Sequence, residues 1–203
     1  VNNDYNVFAK DGKTVASYAT LNKEVVFPIA TYQELSHDPM SAVLNAFSKL
    51  GKDNEGASIQ IVVTPVGDNL IKDFSRVLDK VKKGENLKFA LDDYAATKNE
   101  IKNFALGFFT NTKPKPEDKK EPDLTIVEGI NKKLNSTIVE TNIRIVASAE
   151  SHARAEDIVS DIESAFEQFS KTNSNSFKFE RVKINELQKF LHYFTFRMPS
   201  QKT

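Results

Sequence analysis

The side chains able to do chemistry in this chain are few and widely spaced. His37, His152 and His192 are the only histidines, and they lie too far apart in sequence to form a local metal motif. Glu34 and His37 make a Glu-x-x-His pair, the spacing used in di-iron bundles. Such a site needs a second pair and two further glutamates on facing helices, and no second pair exists. Asp92-Asp93 and Glu117-Asp118 are adjacent carboxylates, which point in different directions along a helix or a strand, so they read as solvated surface. No serine sits in a Gly-x-Ser-x-Gly turn. Gly12-Lys13-Thr14 echoes the end of a phosphate-binding loop, but Val7 stands where that motif requires its first glycine. With no cysteine there is no disulfide, thiolate zinc site or thiol nucleophile. Asn135-Ser136-Thr137 matches a glycosylation acceptor, which matters only in a secreted protein. The expectation is therefore no catalytic residue, no cofactor-binding residue and no metal ligand: a chain that is not itself an enzyme.

Charge points the same way. Lys+Arg and Asp+Glu both number 28 and are interspersed almost everywhere. A single-strand nucleic-acid binder needs a basic groove with interleaved aromatics, and this pattern supplies no such funnel. The chain has 15 Phe and no Trp, most of them on apolar stripes where core packing explains them. Hydrophobic residues at 39% and charged residues at 28% mark a folded, globular chain. No apolar run approaches the ~20 residues needed to span a bilayer. The chain begins at Val1 and ends in Ser200-Gln201-Lys202-Thr203, and both ends read as cuts in a longer protein, with room outside them for a membrane segment or a catalytic domain.

The strongest structural signal runs from Thr137 to Phe169, a strand feeding a long helix. Val139, Thr141, Ile143, Ile145 and Ala147 alternate with Glu140, Asn142, Arg144 and Val146, the pattern of a half-buried strand. Ala155, Ile158, Val159, Ile162, Phe166 and Phe169 then form one helical stripe behind Ser151 as N-cap. The core is expected to centre on Ile143, Ile145, Ile162 and Phe166.

Upstream, Tyr5 to Phe8 and Val15 to Tyr18 flank Asp11-Gly12, which predicts a hairpin. Glu24 to Ala30 predicts a strand, edge-placed because of Pro28. Asp38-Pro39 opens a helix with Met40, Val43, Leu44, Phe47 and Leu50 as its stripe and Gly51 at its end. Ala57 to Thr64 alternates as a second strand. Leu70, Ile71, Phe74, Val77, Leu78 and Val81 mark another helix, with Lys80, Lys82 and Lys83 at its C-terminal end and Gly84 as its stop. Glu85 to Thr110 predicts helix over much of its length. Asn111 to Asp123, with Pro114, Pro116 and Pro122 among charged residues, predicts a solvated, mobile connection, most mobile over Lys113 to Pro122. Leu124, Val127, Ile130 and Leu134 predict a helix. Phe177 and Phe179 predict a strand, Leu187, Phe190 and Leu191 a short helix, and Phe194, Phe196 and Met198 a last strand.

Strand and helix alternate in a similar order over about 24–83 and 124–198. This predicts an α+β fold of two βαβ-type, ferredoxin-like halves, with a mostly antiparallel sheet and helices packed on one face. The division expected is a first α/β half with the N-terminal hairpin over 1–110, a mobile linker over 111–123, and a second half over 124–203.

Three stretches together resemble a bacterial family. They are Phe27-Pro28-Ile29-Ala30-Thr31-Tyr32 with Asp38-Pro39, then Glu55-Gly56-Ala57-Ser58-Ile59-Gln60-Ile61 with Pro65, then Ile143-Arg144-Ile145-Val146-Ala147 with Ala155 and Ala165-Phe166. The pattern is similar to the region preceding the P-loop motor domain in ATPases related to type IV secretion and conjugation, the coupling-protein-like group that pumps DNA. It covers about Tyr5 to Arg197. The resemblance implies a non-catalytic accessory or assembly domain at the cytoplasmic face of a bacterial membrane. Its partners would be its own motor domain, other subunits of the complex or a second copy. It carries over no catalytic residue and no cofactor, because the family's nucleotide loop lies outside these stretches. The alternative is a freestanding adaptor that binds a protein or a single-stranded nucleic acid.

Overall fold

A computed structural model describes residues 6–51, 54–92, 121–170 and 174–199. In chain order the elements are β1 (Lys13–Leu21), α1 (Pro39–Ser48), β2 (Gly56–Pro65), α2 (Asp68–Lys82), α3 (Leu124–Leu134), β3 (Val139–Ala149), α4 (His152–Ser164), β4 (Phe177–Arg181) and α5 (Ile184–Thr195). The chain is also helical over 87–92, and 3-10 turns form at Tyr32–Glu34 and Glu167–Phe169.

The four strands form one antiparallel sheet in the order β2-β3-β1-β4. The fold is α+β, as the pattern predicts. Register explains the core. Ala57, Ile59 and Ile61 of β2 face Ala147, Ile145 and Ile143 of β3, while Val15 of β1 faces Ala147 from the other side. Partners across a ladder share a face, so these residues make one apolar surface. Ala155, Ile158, Val159 and Ile162 of α4 bury against it, together with Ala46 of α1 and Phe166. Ile143, Ile145, Ile162 and Phe166 are all buried in that cluster. Phe166 is surrounded by the rings of Phe179, Phe177 and Phe169, with centroids at 5.3, 5.9 and 6.2 Å.

Helix ends follow local chemistry. Asp38 accepts from the Met40 N–H, and Ser151 accepts from the Arg154 N–H, each satisfying a donor that the first helical turn leaves open. Lys80 and Lys82 lie in the last turn of α2, and Gly84 takes φ 80° just beyond it. The central helix ends at Ser164 and gives way to the 3-10 turn that carries Phe169.

Several elements depart from expectation. Asp11 turns with φ 60° and Gly12 N–H bonds the Ala9 carbonyl, but residues 6–12 form no strand and so no hairpin. β1 pairs instead with β3 and β4, on its two sides. Residues 24–30 are not a strand either, though Val26 and Ala30 are buried. Phe194 continues α5 rather than opening a last strand, because its spacing from Phe190 and Leu191 keeps the helical stripe going. Helices also cover both faces: α1 and α4 pack on one, and the C-terminal end of α5 bonds residues of the other.

The chain divides into two compact units. One comprises Val1–Val25, Ile29–Pro65 and Val139–Thr203; the other comprises Val26–Pro28 and Val66–Ile138. This differs from the sequential division at 110 and 123, because β2 pairs with β3 at ten positions and draws both ends of the chain into one sheet. Residues 93–120, which hold most of the expected linker and the rest of the helix predicted to Thr110, lie outside the described residues. In the second unit α2 packs on α3, burying Phe74, Val77, Leu78, Val81 and Ile130. There Lys133 Nζ lies 5.5 Å from the Phe74 ring centroid and donates to the Phe27 carbonyl, and burial lowers its pKa to about 8.

Candidate docking site

The dispersed chemical groups stay dispersed. His37 precedes α1 and is exposed, His152 opens α4, and His192 sits on α5 against the Phe196 ring. Glu34 accepts from the backbone and hydroxyl of Thr31, closing a capping box on a 3-10 turn. Among the described residues no group of three or more His, Asp or Glu could hold a metal ion. Asp92 is exposed, while Asp93, Glu117 and Asp118 lie outside the described residues.

What sequence reading missed lies on the far side of the sheet. Alternation puts Asn142 and Arg144 on the face expected to meet solvent, yet Asn142 is 6% and Arg144 2% exposed. The Arg144 guanidinium donates to the Gln60 and Asn142 side-chain oxygens and to the Tyr193 and Met198 carbonyls, the last at 2.6 Å. No carboxylate is among these partners. Burial lowers its pKa from the ordinary value. The charge is answered by the C-terminal end of α5, where open carbonyls and the helix dipole make a negative pole. Gln60 completes the clamp by donating to the Phe194 carbonyl at 2.8 Å. The only signal for this in the sequence is an arginine between apolar neighbours on a strand.

The same helix end has an unusual closure. Met198 N–H bonds the Tyr193 carbonyl and Arg197 N–H bonds the Phe194 carbonyl, the paired bonds of a Schellman motif. Arg197 occupies the position where glycine is usual, with φ 53°. A side chain there costs about 1 kcal/mol relative to glycine.

This clamp builds one wall of a groove along the sheet edge. β2 is an edge strand, and among the described residues no strand pairs with its outer side. It runs Gly-Ala-Ser-Ile-Gln-Ile-Val-Val-Thr-Pro with no charged residue. Ile61 and Val63 are 57% and 56% exposed, although they share the core face with Ala57 and Ile59. The groove is a shallow, open depression of about 600 Å³ between β2, Phe8, Phe194 and Arg197. At its Gly56 end the strand passes so close to the Val7 backbone that a β-carbon would strike it, which explains the glycine. Glu55 beside it is held by Arg154 through two bonds, at 2.7 and 2.9 Å, and by the Gly51 N–H. Those contacts, Arg154 first, lower the Glu55 pKa to about 2.

A family model described as a domain of unknown function, DUF8128, matches residues 2–200. The chain belongs to the DUF8128 family. The DUF8128 match takes in both compact units and all the sites above, and its description assigns no activity. No curated protein and no solved structure matches the chain.

Proposed function

We propose that this chain is a non-catalytic docking domain of a DNA-translocating P-loop ATPase of the type IV secretion and conjugation kind. It joins the motor to the membrane complex, or to a neighbouring subunit, at the cytoplasmic face. The observation that supports docking is the β2 edge, ten residues long, uncharged and carrying exposed Ile61 and Val63. Soluble proteins blunt such edges with charges, bulges or cover, because open backbone groups recruit another strand. The resemblance of Glu55 to Ile61 and Ile143 to Ala147 to the segment preceding the motor supplies the partner. Among the described residues no helix is long and apolar enough to cross a membrane, so anchoring falls to other segments.

The test is expression of the complete reading frame. A P-loop of the form Gly-x-x-x-x-Gly-Lys-Ser/Thr downstream of Thr203 is expected. Deleting residues 1–203 should then leave ATPase turnover intact and abolish assembly. A reading frame that stops soon after Thr203, with salt-sensitive DNA binding by the chain, overturns the reading in favour of a freestanding adaptor.

A further inference from the structure

We infer that the groove beside β2 binds an extended strand of a partner protein, uncharged over most of its length and carrying one carboxylate that meets Arg197. The inference rests on the docking reading of this edge and names what docks there. Beyond Ala57, over residues 58–65, the outer side of β2 has no strand partner among the described residues and offers backbone donors and acceptors at strand spacing, which suits strand addition. Side chains alternate along such a strand, so every second partner residue would lie over Ile61 and Val63 and the rest toward Phe194. β-Branched residues at those positions pack best across the ladder.

Charge selects the occupant. Arg197 lines the groove, its side chain is exposed, and among the described residues it has no ion-pair or side-chain hydrogen-bond partner. The helix closure would favour glycine there, yet the position carries a cation in the left-handed region. A residue kept against local backbone preference at the rim of a groove points to a contact made there. A second copy of β2 would not supply that contact, because Gly56–Pro65 contains no Asp or Glu. The occupant is therefore a different strand with an acidic side chain or a terminal carboxylate.

The experiment uses short fluorescein-labelled peptides of alternating valine and threonine, each with one glutamate at a varied position, beside glutamine twins. Fluorescence anisotropy reads their binding to the chain. One glutamate position should bind more tightly than its twin by about fivefold, the scale of an exposed ion pair. Arg197→Gly should erase that difference while raising the melting temperature, which separates recognition from folding. Ile61→Lys, at an exposed position, should abolish binding of every peptide while far-ultraviolet circular dichroism stays unchanged. Glutamate and glutamine peptides that bind equally at every position overturn the role of Arg197. No binding by any peptide overturns the groove, and the docking reading then stands or falls on the deletion experiment alone. A concentration-dependent dimer that Ile61→Lys disrupts and peptides do not displace makes a second copy the occupant and overturns the inference.

Discussion

Arg144 donates to the Met198 carbonyl at 2.6 Å, tying the middle of the central strand to the residue just beyond the last helix. Together with the bond to Tyr193, it makes a strand side chain the closing piece of a helix C-terminus. That clamp holds Phe194 and Arg197 beside β2, so the groove depends on a buried charge on the neighbouring strand.

Replacing Arg144 with methionine keeps much of the volume and removes all four hydrogen bonds. The buried Asn142 oxygen and the part-buried acceptors of Gln60, Tyr193 and Met198 then lose this donor, and a buried acceptor left open costs on the order of 1–3 kcal/mol, a part-buried one less. Relaxation and water entry recover part of this, so Arg144→Met should destabilise by about 2–4 kcal/mol. Amides of α5 should exchange faster than those of α4. Wild-type stability with unchanged α5 protection would show that the clamp contributes nothing.

Phe166 is buried among three other phenylalanine rings. Phe166→Ala should destabilise the fold by about 3–5 kcal/mol in urea denaturation. A loss below about 1 kcal/mol, the range of surface changes, would contradict its place in the core.

Glu55 is held with its carboxyl at about 2, below the ordinary 4.5, by Arg154 first and then the Gly51 N–H. A depressed carboxyl contributes stability above its unfolded pKa and loses it as pH falls toward the folded one. Wild type should therefore exceed Glu55→Gln in stability at pH 6, and the gap should close between about pH 4.5 and 2. A gap that stays constant across this range would place the effect of Glu55 in packing instead.

The α+β class and the core were legible because they depend on local periodicity. The alternation of Ala57 to Thr64, the stripe from Ala155 to Ile162 and the caps at Asp38 and Ser151 all carry their signal within a few residues. The rest depended on pairing. Nothing in Glu24 to Ala30 reveals that the sheet takes its strands from elsewhere. Arg144 and Asn142 look solvent-facing until α5 is laid across them, and the alternate phenylalanines at 194 and 196 mimic a strand while the first of them closes a helix. The candidate site was invisible for the same reason: alternation identifies β2 as a strand but not as the sheet's edge. No residue type in β2 announces docking, and Arg197 draws notice only once its backbone is seen.

We propose that this domain meets its assembly at the β2 edge. Hydrogen–deuterium exchange across Gly56–Pro65, compared between the isolated chain and the full-length protein in its proposed assembly, tests it most directly. The outward-facing amides of β2 beyond Ala57 should exchange at least about tenfold more slowly in the assembly, where they would acquire strand partners. Equal exchange in both states, with protection appearing on other surfaces, would contradict it.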